Sequence, residues 1–149
     1  MSIRGSCECK NIEVVWHTID HSLVPRACQC GYCRSREAAY VTKSGTRFEV
    51  VIHNEKLHTE VRHGSETAVF HECSYCGQVV FVTAEIDGEL FGALNANQLS
   101  NKYGFAESVK LNFSAQSVAQ KRERWRENWC HPVLITSKGT GRSKAAPLL

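Results

Sequence analysis

The sequence predicts a mainly β domain with one or two short helices, and three observations carry that prediction. Several short runs of the 149-residue chain alternate apolar and polar residues with period two, the pattern of half-buried strands. Turn-forming residues separate these runs. Two residues suited to a helix N-cap are each followed three positions later by glutamine, the spacing of a capping box.

The predicted strands are spread along most of the chain. Their defining runs are Ile12/Val14/Trp16, Phe48/Val50/Ile52, Leu57/Thr59/Val61, the segment Gln78–Ile86 and Val109/Leu111/Phe113. The fourth run, QVVFVTAEI, is apolar on both of its faces. The pair Asp87-Gly88 directly after it is the strongest local turn signal in the chain.

The two predicted helices follow Asn95, with Gln98 three residues on, and Ser117, with Gln120 three residues on. We expect the second helix to carry Val118, Arg122, Trp125 and Trp129 on one face.

Length and composition predict one domain. A chain of 149 residues with 42% apolar and 22% charged residues can bury a core and fits neither a disordered nor a fibrous class. We place the domain at residues 1–136. Residues 137–149, rich in glycine, serine and lysine, are predicted to form a flexible tail.

The N-terminal segment MSIRGSCECK has no apolar stretch of the kind found in secretory signals, and no run is long enough to span a membrane. We therefore expect a cytoplasmic protein that does not act at a membrane. In a reducing compartment, closely spaced cysteines are better explained by metal binding or catalysis than by disulfides.

Seven of the eight cysteines fall into three groups, and Cys130 stands alone. Two of these groups are close pairs that lie far apart in sequence, Cys7/Cys9 and Cys73/Cys76. Such pairs suit a tetrahedral thiolate zinc site, because each pair can come from one tight turn. This pattern predicts one structural zinc bound by four cysteines, the four-cysteine cluster. The alternative is four buried free thiols. The cluster consists of Cys7, Cys9, Cys73 and Cys76.

Cys28, Cys30 and Cys33 form a cysteine triplet with no fourth cysteine nearby. Three protein ligands and one exchangeable position are typical of a catalytic zinc. Two alternatives stay open: a histidine closes the site, or the triplet is unoccupied or redox-active. The candidate histidines are His17, His21, His53, His58, His63, His71 and His131.

Three motifs in order resemble one known family. The segment GSCECKNIEV, then CQCGYCR, then FHECSYCGQVVF are similar to the glutathione-dependent formaldehyde-activating enzyme family, which includes the centromere protein V group. The resemblance covers about the first 95 residues. It implies a β-tent of short antiparallel sheets, related to the zinc-binding Rab exchange factors.

The resemblance also implies a function. The four-cysteine cluster would hold a structural zinc, and Cys28, Cys30 and Cys33 would hold a catalytic one. The implied activity is that of a carbon-sulfur lyase or synthase, in which a thiol such as glutathione adds to formaldehyde or a related aldehyde. Such catalysis would combine proximity with Lewis acidity.

Arg34 follows the triplet and could pair with a substrate carboxylate, since guanidinium geometry suits that role. The rival interpretation is a non-catalytic, zinc-stabilised module that binds protein or nucleic acid. The segment QKRERWRENW mixes basic and aromatic residues, a composition compatible with nucleic acid. Glu123 and Glu127 interrupt that charge, and tryptophans at helical spacing are more often core residues, so we disfavour nucleic acid as a partner.

Overall fold

A computed structural model describes residues 2–18, 25–28, 38–62, 68–100, 109–111, 117–137 and 142–143. Within these ranges the protein is mainly β, with a single α-helix, α1 (Val118–Asn128). The strands are β1 (Ile3–Ser6), β2 (Ile12–Trp16), β3 (Arg26–Cys28), β4 (Ala39–Val41), β5 (Phe48–Ile52), β6 (His58–Val61), β7 (Val69–Cys73), β8 (Gln78–Ile86), β9 (Glu89–Asn95), β10 (Val109–Leu111), β11 (Val133–Ser137) and β12 (Arg142–Ser143).

The strands form two sheets. The first has five strands in the order β1-β2-β5-β11-β12, and the second has seven in the order β10-β3-β4-β9-β8-β7-β6. Pairing is antiparallel except for β11 with β5 and β10 with β3, which are parallel. This architecture confirms the predicted fold class, a mainly β protein consistent with a β-tent.

The main hydrophobic cluster draws on both sheets. Trp16 and Phe48 come from the first sheet, Phe81 and Leu94 from the second, and all four are essentially inaccessible to solvent. The rings of Phe48 and Phe81 meet edge to face with centroids 5.9 Å apart. Because the alternating residues of β2 and β5 point into this cluster, the period-two pattern predicted both strands with the bounds observed.

The two sheets also touch through backbone. Gly92 on β9 and Cys130, just before β11, exchange N–H···O bonds of 3.0 and 2.8 Å. A side chain at position 92 has no room, since a Cβ atom would lie 2.7 Å from Phe48 Cζ and 2.9 Å from Val133 Cγ2. Glycine permits this close approach.

Strand β8 is buried on both faces, as its doubly apolar sequence suggests. Phe81 faces the main cluster, whereas Val82 and Ala84 belong to a second cluster that α1 covers with Trp125. Trp129 stacks on Trp125 with centroids 4.7 Å apart. Both tryptophans of the basic segment therefore pack in or against this second cluster.

The predicted turn and one of the two predicted helices form as expected, whereas the other helix does not. Asp87 and Gly88 both take positive φ angles, 54° and 80°, and close the β8-β9 hairpin as predicted. Ser117 and Gln120 form a complete capping box at the start of α1, which confirms that helix. After Asn95 only a 3-10 turn forms, Ala96–Gln98, because Leu99 directly after it pairs with Gly5 of β1.

No helix among the described residues is long and apolar enough to cross a membrane. The division between a domain at residues 1–136 and a tail at 137–149 stays a prediction; the short pairing of β11 with β12 spans that boundary.

Candidate metal centres

The first turn of the four-cysteine cluster joins β1 to β2. Cys7 and Cys9 lie in it, and the N–H of Lys10 donates to Cys7 O at 3.0 Å. Lys10 takes a left-handed conformation with φ 64°, which turns the chain back so that β2 begins at Ile12. The two thiols, separated by one residue, therefore point to the same side of one turn.

The second turn joins β7 to β8. Cys73 ends β7, Cys76 follows within the turn, and the N–H of Gly77 donates to Cys73 O at 2.8 Å. Gly77 has φ 70°, a conformation that glycine adopts without strain. The Glu8 N–H of the first turn donates to Gln78 Oε1 at 2.8 Å, which holds the two turns against each other.

The sulfur positions fit a tetrahedral metal. Cys9 Sγ lies 3.7 Å from Cys7 Sγ and 3.6 Å from Cys73 Sγ, and all four Sγ atoms lie within 4.8 Å of one another. A tetrahedral zinc with Zn–S bonds of about 2.3 Å places its sulfurs about 3.8 Å apart. The predicted four-cysteine cluster is therefore assembled with spacing suited to zinc.

Backbone donors surround the sulfurs. The Cys9 N–H donates to Cys76 Sγ at 3.1 Å, and the Ile12 N–H donates to Cys7 Sγ at 3.4 Å. Cys7 and Cys73 are fully buried, whereas Cys9 is exposed and Cys76 is half-buried. N–H donors aimed at sulfur stabilise the thiolate form that a metal requires.

The thiol pKa values differ across the cluster. Burial raises the pKa of Cys7 to about 12, although the Ile12 N–H acts in the opposite direction. At Cys9 the effect of burial is outweighed by the Asn11 N–H and by neighbouring thiols, so its pKa is lowered. A buried thiol with a raised pKa is protonated at neutral pH, and a bound cation is what stabilises it as a thiolate.

The cysteine triplet falls mostly outside the described residues. Cys28 ends β3, where the backbone pairs with Leu111 of β10. Cys30, Cys33 and Arg34 lie outside the described residues. Their metal, catalytic and substrate-binding roles therefore stay predictions.

A second group of metal-ligating side chains, His58, Glu60 and His71, forms the histidine cluster on β6 and β7. One ligand atom from each lies within 4.8 Å of the other two. In the sequence His58 and His71 are only separate candidates for closing the triplet, with nothing that groups them. The grouping depends on the register of β6 with β7, which places Glu60 opposite His71 and His58 two residues away on the same sheet face.

The other described histidines each pair with a carboxylate. His17 Nε2 contacts Glu49 Oε2, and His53 Nε2 lies 2.6 Å from Glu13 Oε1. His131 Nε2 lies 3.1 Å from Glu89 Oε1. Each is a single imidazole beside one acid, so none has the clustered ligands of the histidine cluster.

The family model for the glutathione-dependent formaldehyde-activating enzymes matches residues 2–115. The chain belongs to this family. The matched region holds both turns of the four-cysteine cluster and all three cysteines of the triplet.

A crystal structure of a Rhodobacter sphaeroides protein, determined by structural genomics, is similar to this family member. The two are 23% identical, with a TM-score of 0.53, over 71% of this chain and 99% of the other. This likeness supports the fold. No curated protein sequence gives a significant match.

Proposed function

We propose that this protein is a zinc-dependent carbon-sulfur lyase or synthase that acts on thiol-aldehyde adducts. The observation that carries the proposal is the family match over residues 2–115 combined with the assembled four-cysteine cluster. Glutathione and formaldehyde, the compounds in the family's name, are the first substrate pair to test. The catalytic residues we propose are Cys28, Cys30 and Cys33.

The four-cysteine cluster would act as the structural site. Its first turn belongs to the five-stranded sheet and its second turn to the seven-stranded sheet, so one ion would cross-link the two sheets. Four thiolates leave no open ligand position. We therefore assign this site to folding and not to chemistry.

The cysteine triplet would supply the reactive site. A three-thiolate zinc would offer a soft, open position for sulfur and Lewis acidity beside the aldehyde. In the reaction, the substrate thiolate forms a C–S bond to the aldehyde carbon, and the carbonyl π electrons pass to oxygen, which takes a proton. We propose that Arg34 pairs with a carboxylate of the thiol substrate and orients it.

The test measures adduct formation from formaldehyde with glutathione and with a panel of other thiols. We expect at least one thiol to react faster with enzyme than without it, and Cys30→Ser to abolish that acceleration. If no thiol reacts above background, the enzymatic proposal fails, and a zinc-stabilised binding module becomes the better interpretation.

Metal content provides the matching control. We expect two zinc equivalents bound by cysteine, of which Cys30→Ser loses one while the fold, followed by circular dichroism, is retained. Cys130→Ser changes a cysteine outside both groups and should keep both equivalents and full activity. A Cys30→Ser protein with unchanged zinc content would contradict the assignment of the triplet.

A further inference from the structure

The histidine cluster lies on the β6-β7 hairpin, and β6 is an edge strand of the seven-stranded sheet. In the strand register Glu60 stands directly opposite His71, and His58 is two residues before Glu60. Residues two apart on one strand, and residues opposite each other on paired strands, share one face of a sheet. The strand register alone therefore brings the three side chains together on one face of the sheet.

The two imidazoles are aligned through their inner nitrogens. His58 Nε2 and His71 Nδ1 are 2.9 Å apart, and the ring planes are parallel to within 7°. His71 also stacks on Phe81 with a centroid distance of 4.1 Å, which fixes its ring orientation. Both histidine side chains are almost fully buried, at 0% and 2% exposure.

The outer nitrogens have partners that match a metal-binding histidine pair. His58 Nδ1 lies 2.6 Å from Glu55 Oε1, and His71 Nε2 lies 2.8 Å from Thr83 Oγ1. A carboxylate and a hydroxyl oxygen can each accept an imidazole N–H. Metal-ligating histidines typically donate this other N–H to a carboxylate, carbonyl or water, which fixes the tautomer and directs the remaining lone pair at the metal.

Glu60 places a carboxylate beside the two imidazoles. Its Oε2 lies 4.0 Å from His71 Nδ1, and its side chain is 47% exposed, so the cluster is open to solvent on this side. Two nitrogens on a tetrahedral zinc lie about 3.4 Å apart at Zn–N distances near 2.1 Å. The inner nitrogens thus need to separate by only about 0.5 Å for both to bind one ion.

We propose that His58, Glu60 and His71 form a divalent-metal site with two nitrogen ligands, one carboxylate and no cysteine ligand. Imidazole and carboxylate together suit borderline ions, and zinc is the one we test. Three ligands leave a fourth position for water. The proposal does not depend on the proposed enzymatic activity.

The experiment uses full-length protein first saturated with zinc and then desalted. Dialysis against solutions of buffered free Zn²⁺, with bound zinc measured by atomic absorption, should reveal one further equivalent per chain. Glu60→Gln should weaken this equivalent at least about tenfold, because it removes a ligand charge from a half-exposed position outside the core. A single binding curve shared by wild type and Glu60→Gln would overturn the proposal, as would the absence of the further equivalent.

Glu13→Gln is the matched control. Glu13 is also 47% exposed and also contacts a histidine, His53, but no other imidazole of the described residues is grouped with that pair. Its variant should bind zinc as the wild type does. Cys30→Ser should likewise keep the further equivalent, so failure of the triplet assignment and failure of this proposal give different results.

Imidazole ¹⁵N spectra locate the ion. On addition of the further zinc equivalent, the inner nitrogens of His58 and His71 should shift together, since both become ligands. If the shifts occur at His17 or His53 instead, the ion is bound elsewhere and the proposal is wrong.

Discussion

The four-cysteine cluster and the histidine cluster lie side by side at the end of β7, where Cys73 ends the strand and His71 is two residues earlier. They are built in opposite ways. The cysteines come in pairs from two tight turns, so each half of the site is local in sequence. The histidine cluster depends on the register between β6 and β7. The first kind of site can be recognised as a motif, whereas the second becomes visible only once the strands are paired.

The largest expected effect is on the thiolate site. Structural zinc contributes on the order of 10 kcal/mol to the folding of small zinc domains. We expect Cys73→Ser to lose one zinc equivalent and to lower the free energy of unfolding by roughly 3 kcal/mol or more, a fall in melting temperature of roughly 6–12 °C. Thermal unfolding by circular dichroism and zinc analysis measure both quantities.

Cys130→Ser separates metal loss from the cost of a buried hydroxyl. Cys130 is as buried as Cys73 but contacts Thr42 and Thr46 and lies outside the cluster. The Cys130→Ser variant should keep the zinc of the four-cysteine cluster. If Cys73→Ser keeps the same zinc and melts at the same temperature as Cys130→Ser, the cluster has no structural metal role.

The same difference separates the features that can be predicted from the sequence from those that cannot. The pairs Cys7/Cys9 and Cys73/Cys76 were predicted as one site because their spacing records local geometry. Strands β2, β5 and β8 could be predicted because their buried positions carry apolar residues. The predicted group Leu57/Thr59/Val61 did mark strand β6, but the buried side chain there is His58, which a hydrophobic pattern does not count.

Strands β9 and β11 were not predicted, for different physical reasons. Most of β9 is buried on both faces, so it lacks alternation, and Gly92 interrupts its apolar run. Strand β11 pairs in parallel with β5, a partner that precedes it by some 80 residues, and no turn motif connects them. Burial on both faces therefore hides β9, although a turn motif precedes it, and long-range pairing hides β11.

The second expected effect tests the turn that carries Cys76. Gly77→Ala places a Cβ in a left-handed conformation, at a cost of about 1–2 kcal/mol, although among the described residues nothing beyond its chain neighbours lies within 4 Å of that Cβ. We expect this loss in chemical denaturation. Since the Gly77 N–H bonds to Cys73 O, zinc affinity should fall as well.

Gly45→Ala provides the comparison. Gly45 has φ 80° and equally open space, but its turn lies outside the cluster. The two variants should lose similar stability without zinc, and only Gly77→Ala should bind zinc more weakly. Equal zinc affinity in both would mean that the turn conformation does not position Cys76.

The third expected effect concerns the histidine cluster. Thr83→Val keeps the shape of a buried side chain and removes the hydroxyl that contacts His71 Nε2. The affinity of the proposed histidine site for zinc should fall about tenfold, as loss of an outer hydrogen bond does at other metal sites. Zinc bound by the four cysteines should be unaffected. Equal weakening at both sites would indicate a general loss of structure.

The smallest expected effect concerns the two cysteine turns, which each need one residue in the left-handed conformation and use different residues for it. Lys10 occupies the left-handed conformation in the first turn, as Gly77 does in the second, and therefore carries the strain that glycine avoids. Lys10→Gly should raise the free energy of unfolding by up to about 1 kcal/mol, since relief of strain is partly offset by the greater entropy of the unfolded chain. Lys10→Ala keeps the strain and should leave stability unchanged. If the two variants are equally stable, the lysine is not strained, and the first turn owes its shape to the cysteines alone.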